Sequence, residues 1–246
     1  GTLPPGTAVR ISTGAVVPAG ADTIAMQEDC RRDGDHVAIE PVPALGANLR
    51  EAGNDIAEGA AALEAGRRLR PQDIALLRAL GYVDAPVRRK LRVAIAPTGE
   101  ELREGGADLN AGQIVETNGL MLAQLFSALP VEVTSLAVLP DDRARTIAAL
   151  SDAAAAHDLV VTTGGVSVGD HDHVRPALHA IGREHFWRLA IRPGKPVLFG
   201  EIGSAAFVGL PGNPVSAMVT FLLIVLPVVR VLAGASLAPD GGIPIR

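Results

Sequence analysis

Hydrophobic and polar positions divide the chain into three regimes. Over residues 1–57, short apolar runs (Ala8 to Ile11, Thr23 to Met26, His36 to Ile39) are separated by Gly and Pro turns without a helical period. That pattern predicts part of a small β-rich domain. Across residues 58–88, Pro71 stands at a helix start, Ile74, Leu76, Leu77 and Leu80 fall on one face, and Gly81 stops the run. This predicts a short helical connecting subdomain. From 89 to 236, apolar strands (Arg92 to Ala96, Val131 to Leu139, Leu159 to Thr163) alternate with helical patterns marked by Met121, Leu122, Leu125, Phe126 and Leu129, then by Ile147, Leu150, Ala153 and Ala154. Such alternation predicts an α/β domain with a mostly parallel sheet covered on both faces. Residues 237–246 are rich in Gly and Pro and read as the start of a further domain.

Ligands of these sheets bind beyond the carboxyl ends of the strands. The loop after Ala96 reads Pro97-Thr98-Gly99-Glu100-Glu101-Leu102, whose paired acids suit either a cation site or a solvated turn. After Leu139 comes Pro140-Asp141-Asp142. One of its two acids is expected to cap the next helix, which leaves the other without a structural task. The run from Thr162 to Asp172 places Gly164, Gly165 and Gly169 around Val166 and Ser167. Glycine backbone there permits close approach to a phosphate, with Asp170 and Asp172 in metal reach of it.

Two rival readings attach to that run. Gly165-Val166-Ser167-Val168-Gly169 matches a hydrolase nucleophile elbow. An acidic loop and Pro176 follow it, however, where a helix should begin at once, and the later histidines crowd between His171 and His185. His171-Asp172-His173 resembles zinc spacing but lacks further His or Cys ligands, so surface histidines are the preferred reading. Downstream, Trp187 to Ile191 reads as a strand leading to Arg192-Pro193-Gly194-Lys195-Pro196, a framed pair of cations suited to an oxyanion. Pro211-Gly212-Asn213-Pro214-Val215-Ser216 opens a long apolar helix with N–H donors at its start.

Composition narrows the partners. A formal net charge of −5 provides no broad basic field, which excludes extended nucleic-acid binding and leaves anions to be met by local donors or a metal. The 48% hydrophobic content with only 3% aromatics fits a compact α/β protein. Val215 to Val229 is shorter than the roughly 20 residues needed to cross a bilayer and contains Pro227, so a buried helix and no membrane are expected. Cys30, the single cysteine, excludes an intramolecular disulfide, fits a reducing cytoplasmic compartment and reads as a half-buried strand residue. Gly1 to Pro5 read as mid-loop, as in a fragment.

Taken in order, Arg10 to Asp22, Gly53-Asn54-Asp55-Ile56, Thr98 to Leu102, Thr163 to Asp172, Arg192 to Pro196 and Leu210 to Pro214 resemble the molybdopterin molybdenumtransferases, the family that includes the gephyrin E domain. The resemblance implies a homodimer that inserts molybdenum from molybdate into adenylylated molybdopterin with Mg²⁺, releasing AMP. It further implies an upstream adenylyltransferase and downstream molybdoenzymes as partners. Carried onto this chain, the catalytic positions are Thr13, Asp55, Glu101, Asp141 and Asp172, of which Glu101, Asp141 and Asp172 would hold the metal. Thr98, Gly99, Gly164, Gly165, Val166, Ser167, Gly169, Pro211 and Pro214 would border the pterin nucleotide, and Arg192, Lys195 and Ser216 would contact anions. Arg192 stands where many relatives have Lys, and the family's Asp-Gly-Tyr-Ala segment and C-terminal barrel are absent from this sequence. A molybdopterin adenylyltransferase shares the sheet domain but not the first 88 residues, and a gephyrin-like scaffold is the noncatalytic alternative.

Overall fold

The structure, a computed structural model, describes residues 1–166 and 172–236. The expectations for Ser167, Gly169, Asp170 and residues 237–246 therefore lie outside the described residues. The chain divides into two units, Gly1–Ala62 and Leu63–Arg246, so residues 63–88 cluster with the sheet.

In the first unit, β1 (Cys30–Asp33) and β2 (His36–Ile39) form an antiparallel hairpin about Gly34, whose φ of 57° suits a residue without Cβ. Cys30 is half-buried at its start, as expected. The apolar runs at Ala8 to Ile11 and Thr23 to Met26 do not form strands. Their backbone is instead held by turns such as Ala15 N to Ser12 O and by Ile24 N to Ala47 O.

The second unit begins with α1 (Pro71–Ala79), which starts at proline and stops before Gly81 as the sequence predicts. Its predicted apolar face is not its buried one. Ile74 and Leu80 are exposed, whereas Asp73 is 3% exposed. Arg67 and Arg70 both bond its carboxylate, which compensates the burial of that charge. The Arg70 and Arg67 guanidiniums hold the Asp73 pKa far below the ordinary carboxylate range.

Next come β3 (Leu91–Pro97), the short parallel pair β4 (Leu102–Arg103) and β5 (Ile114–Val115), α2 (Asn118–Phe126), β6 (Val131–Ser135), α3 (Arg143–Ala156) and β7 (Leu159–Thr163). Then follow α4 (Val174–Ile181), β8 (Arg183–Trp187), β9 (Leu198–Ile202), β10 (Ala205–Leu210), α5 (Pro214–Thr220) and α6 (Leu226–Leu232). Residues 221–225 join α5 to α6 through a wider turn. Six strands form one sheet in the order β6-β3-β7-β10-β9-β8, and β9 alone runs against the rest.

Two core layers flank the sheet. Ala94, Ala96 and Val160 face Leu150, Ala153, Ala177 and Leu178 of α3 and α4. Val93, Ile95, Val161 and Val208 face Leu122, Phe126, Phe221 and Val225 of the other helices. The alternation along β3 thus buries both faces of one strand, as covered parallel sheets require.

Two sequence expectations change here. The strand near Trp187 ends at that residue, because Arg188 takes a φ of 74° and turns the chain. The helix from Pro214 to Leu232 is only half-covered: Ala217, Thr220, Phe221, Val225 and Val229 are buried, while Val215, Met218, Leu222, Leu223 and Val231 are exposed. By length and apolar character it could cross a membrane, but one of its faces contributes to the core just described.

Candidate functional site

From β3 the chain passes through α2 to β6 on one side, then returns across β3 to β7 and continues toward β10 on the other. The carboxyl ends of β3 and β7 therefore flank the switch point where a doubly wound sheet opens a crevice. Register sets those ends abreast, since Pro97 and Leu210 both pair with Thr163. A cavity of about 450 Å³ lies there, within the second unit. Its lining brings together Thr98 to Leu102, Leu139 to Asp141, Thr163 to Gly165, His173, Asn118 and Gly212. The three loops singled out by strand position thus meet in one place.

Local chemistry explains how each acid reaches it. Asp142 caps α3 by accepting the Arg145 N–H at 2.8 Å, which releases Asp141 to line the cavity. Thr146 Oγ1 donates to Pro140 O at 3.1 Å and pins the same turn. Asp141 Oδ1 lies 3.0 Å from His173 Nε2, so His173 is a half-buried cavity residue rather than the surface histidine expected from sequence. Glu101 is exposed at the mouth. A Cβ at Gly99, whose φ is 137°, would come within 2.6–2.8 Å of the Glu101 carboxylate. Glycine at that position therefore gives the carboxylate its place.

The glycines of the third loop serve packing as well as access. Gly164 has a φ of 84° and its missing Cβ would meet Thr98 Oγ1 at 2.7 Å, while a Cβ at Gly165 would meet Val174 Cγ2 at 2.6 Å. Thr98 donates twice to Thr163 O, through N at 2.9 Å and Oγ1 at 3.1 Å, which locks the first loop against the third. The Val166 side chain is 2% exposed and belongs to the core. Its carbonyl accepts the Trp187 indole N–H at 3.1 Å.

Beyond residue 171, Asp172 is half-buried and precedes the start of α4. That helix accommodates Pro176 in its first turn, where a missing N–H costs little. Arg175 stacks on Trp187 at 3.8 Å and bonds both oxygens of Glu184. The Glu184 bond raises the Arg175 pKa above its usual value, with the Asp172 charge acting in the same direction. Trp187, stacked by Arg175, therefore holds the Val166 end of the third loop. The sequence pattern gives no hint of the partners that Trp187, His173 and Asn118 find here, because each acts through tertiary contact.

The cations stand apart from the cavity lining. Arg192 and Lys195 are exposed on either side of buried Gly194, whose missing Cβ would meet Thr220 Cγ2 at 2.5 Å and Ser216 O at 3.7 Å. The cation loop thus packs on the start of α5 beside Ser216. Asn213 caps that helix by accepting Ser216 N at 3.1 Å, Pro214 opens it, and Pro211 is buried before it. Gly212 links this region to the cavity, accepting from Asn118 Nδ2 at 2.7 Å.

Among the described residues, the cavity lining contains Glu100, Glu101 and Asp141 but no Lys or Arg. No group of three His, Cys, Asp or Glu side chains among those residues could hold a metal alone. This donor set fits Mg²⁺, which takes one or two carboxylates and fills its octahedron with phosphates and water, better than a metal needing an all-protein cage. In the first unit, Thr13 is exposed in a turn closed by Ala15 N to Ser12 O. Asp55 is exposed and pairs with Arg50 at 3.4 Å.

Comparison with known proteins places these features. Residues 94–231 match the model of a probable molybdopterin binding domain, and residues 1–81 match the MoeA N-terminal region (domain I and II). A molybdopterin molybdenumtransferase of Haemophilus influenzae is 42% identical over 94% of this chain and 57% of its own length. Molybdopterin molybdenumtransferase 2 of Mycobacterium tuberculosis is 38% identical over 95% and 59%. The crystal structure of the molybdopterin biosynthesis moeA protein from Pyrococcus horikoshii OT3 superposes with a TM-score of 0.78 at 32% identity, covering 96% of this chain and 57% of that one. The chain spans between half and two thirds of the length of these relatives.

Proposed function

Since the chain belongs to the molybdopterin molybdenumtransferase family, we propose that its cavity inserts molybdenum from molybdate into adenylylated molybdopterin and releases AMP. The observation that carries this reading is the acidic cavity at the β3/β7 switch point, free of Lys and Arg among its described lining residues. Both substrates are anions, so such a cavity needs a cation to receive them. Glu101 and Asp141, with Asp172 at the neighbouring helix start, are the residues that would hold Mg²⁺. Bound there, the ion would supply electrophilic stabilisation of the phosphate as the adenylate leaves.

The chain's own groups position. Thr98 and Thr163 fix the loop junction, Gly164 and Gly165 keep the backbone of the third loop close against it, and His173 orients the Asp141 carboxylate. Arg192, Lys195 and Ser216 form a second, cationic locus suited to molybdate, a compact oxyanion. The proposal includes a homodimer to which Thr13 and Asp55 contribute, working in the cytoplasm between an adenylyltransferase and the molybdoenzymes. Light scattering tests the dimer, and a strict monomer that still inserted molybdenum would remove it.

The decisive experiment incubates the full chain with adenylylated molybdopterin, molybdate and Mg²⁺ and measures AMP release together with reconstitution of an apo-molybdoenzyme. The expected result is AMP release that requires both molybdate and the divalent ion. Formation of adenylylated molybdopterin from ATP instead would make the chain an adenylyltransferase and overturn the proposal.

A further inference from the structure

Two side-chain oxygens of the cavity take no part in the contacts described so far. Asn118 is 8% exposed and Thr163 is 1% exposed, and both line the cavity. Asn118 Oδ1 and Thr163 Oγ1 are each buried and, among the described residues, make no hydrogen bond. Buried polar atoms of native proteins rarely stay unpaired, and two in one cavity point to a ligand that completes them.

The Asn118 amide has a fixed sense. Its Nδ2 donates to Gly212 O at 2.7 Å, so turning the amide over would set Oδ1 against a carbonyl. Oδ1 is therefore presented as an acceptor. The adjoining start of α2 is already satisfied, because Gly119 N donates to Glu116 Oε1 at 2.7 Å, and that carboxylate disfavours a phosphate at this corner. Leu102, Ile114, Leu139 and Val174 supply apolar surface to the same cavity. A flat ring suits such walls better than a hydrated sugar. An amino group on that ring offers two N–H donors for two acceptors.

Resting on the insertion reading of the cavity, we infer that Asn118 Oδ1 and Thr163 Oγ1 form a ring-amine subsite, accepting hydrogen bonds from the exocyclic amino group of the substrate's heterocycle. Adenine and the pterin both carry such an amine, so the chemistry is shared and the two sources are separated by experiment. An oxo group in the same place would set a carbonyl against Asn118 Oδ1 and be rejected.

The test is equilibrium binding to the full chain with two ligand pairs that exchange the amine for an oxo group: AMP with inosine 5′-monophosphate, and pterin with lumazine. Wild type prefers the amine member of at least one pair by about tenfold, and that pair identifies which half of the substrate enters the subsite. Asn118→Leu and Thr163→Val each weaken the amine ligand about fivefold to tenfold and leave its oxo partner within about twofold. Thr163→Val also leaves the melting temperature unchanged or raises it, since the lost hydroxyl has no partner, whereas a structural hydroxyl would lower it. The inference is overturned by the absence of any preference in wild type, by a preference that survives in both variants, or by failure of all four probes to bind at millimolar concentration. None of these results decides the insertion reading, which depends on AMP release from adenylylated molybdopterin.

Discussion

The two edges of the central sheet carry similar residues and use them in opposite ways. At the amino edge, Asp158 receives Arg89 through two bonds of 2.6 and 2.8 Å and the Arg92 N–H at 2.8 Å. Its backbone is also engaged, donating to Arg92 O and accepting from Ala206 N. The Arg89 bond, with the Arg92 N–H and charge, holds the Asp158 pKa far below the ordinary carboxylate range. That acid fastens β3, β7 and β10 together. At the carboxyl edge, Glu101 and Asp141 line a cavity with no Lys or Arg among its described residues. The contrast separates an acid held by arginine across three strands from acids that line a cavity, one of them beside His173.

Substitutions at the carboxyl edge test that contrast with the largest effects. Glu101→Gln, Asp141→Asn and Asp172→Asn are each expected to lower AMP release about 100-fold or more, as loss of a group stabilising transition-state charge does. Their melting curves should stay close to wild type, because each replacement keeps size and hydrogen-bonding capacity. A collapsed melt for Asp141→Asn would assign it the structural role here given to Asp158. The converse substitution, Asp158→Ala, should cost about 2 kcal/mol in chemical denaturation. AMP release below the transition should remain unchanged, and a catalytic defect there would erase the distinction between the edges.

How much of this arrangement is legible in the sequence depends on whether a feature is local. Leu159 to Thr163 reads as a strand because a short apolar run alternates there with helical patterns, and the structure gives that span as β7 with all five positions buried. The Asp141-Asp142 pair reads correctly as one cap and one other acid, because capping is a contact across three residues. Runs such as Ala8 to Ile11 mislead, since a short apolar pattern does not name a partner strand. The same limit hides Asp73, whose burial depends on Arg67 and Arg70, and Trp187, whose indole meets Val166 across 21 residues. Asn118 is visible as a letter beside a helix, but its orphaned acceptor exists only once Gly212 fixes the amide.

Lys195→Ala should raise the molybdate concentration for half-maximal AMP release about tenfold while leaving nucleotide affinity unchanged, as a cation of the proposed anion locus serves the compact oxyanion. An unchanged molybdate dependence would remove Lys195 from the anion locus. The least effect concerns pH. A carboxyl whose folded pKa is depressed contributes stability above its unfolded value near 4, and loses it as pH falls toward the folded value. Wild type should therefore weaken progressively below about pH 4, and Arg89→Ala should flatten part of that acid limb. Identical acid limbs in the two proteins would mean that Arg89 does not set the Asp158 pKa.

The most direct measurement of the division between edges is calorimetric titration of AMP into the full chain, with Mg²⁺ and with EDTA, for wild type, Asp141→Asn and Asp158→Asn. A cation site at the carboxyl edge predicts that Mg²⁺ strengthens AMP binding to wild type and Asp158→Asn about tenfold or more, and that Asp141→Asn loses this enhancement. Equal AMP affinity in Mg²⁺ and EDTA for wild type, or full enhancement in Asp141→Asn, would contradict it.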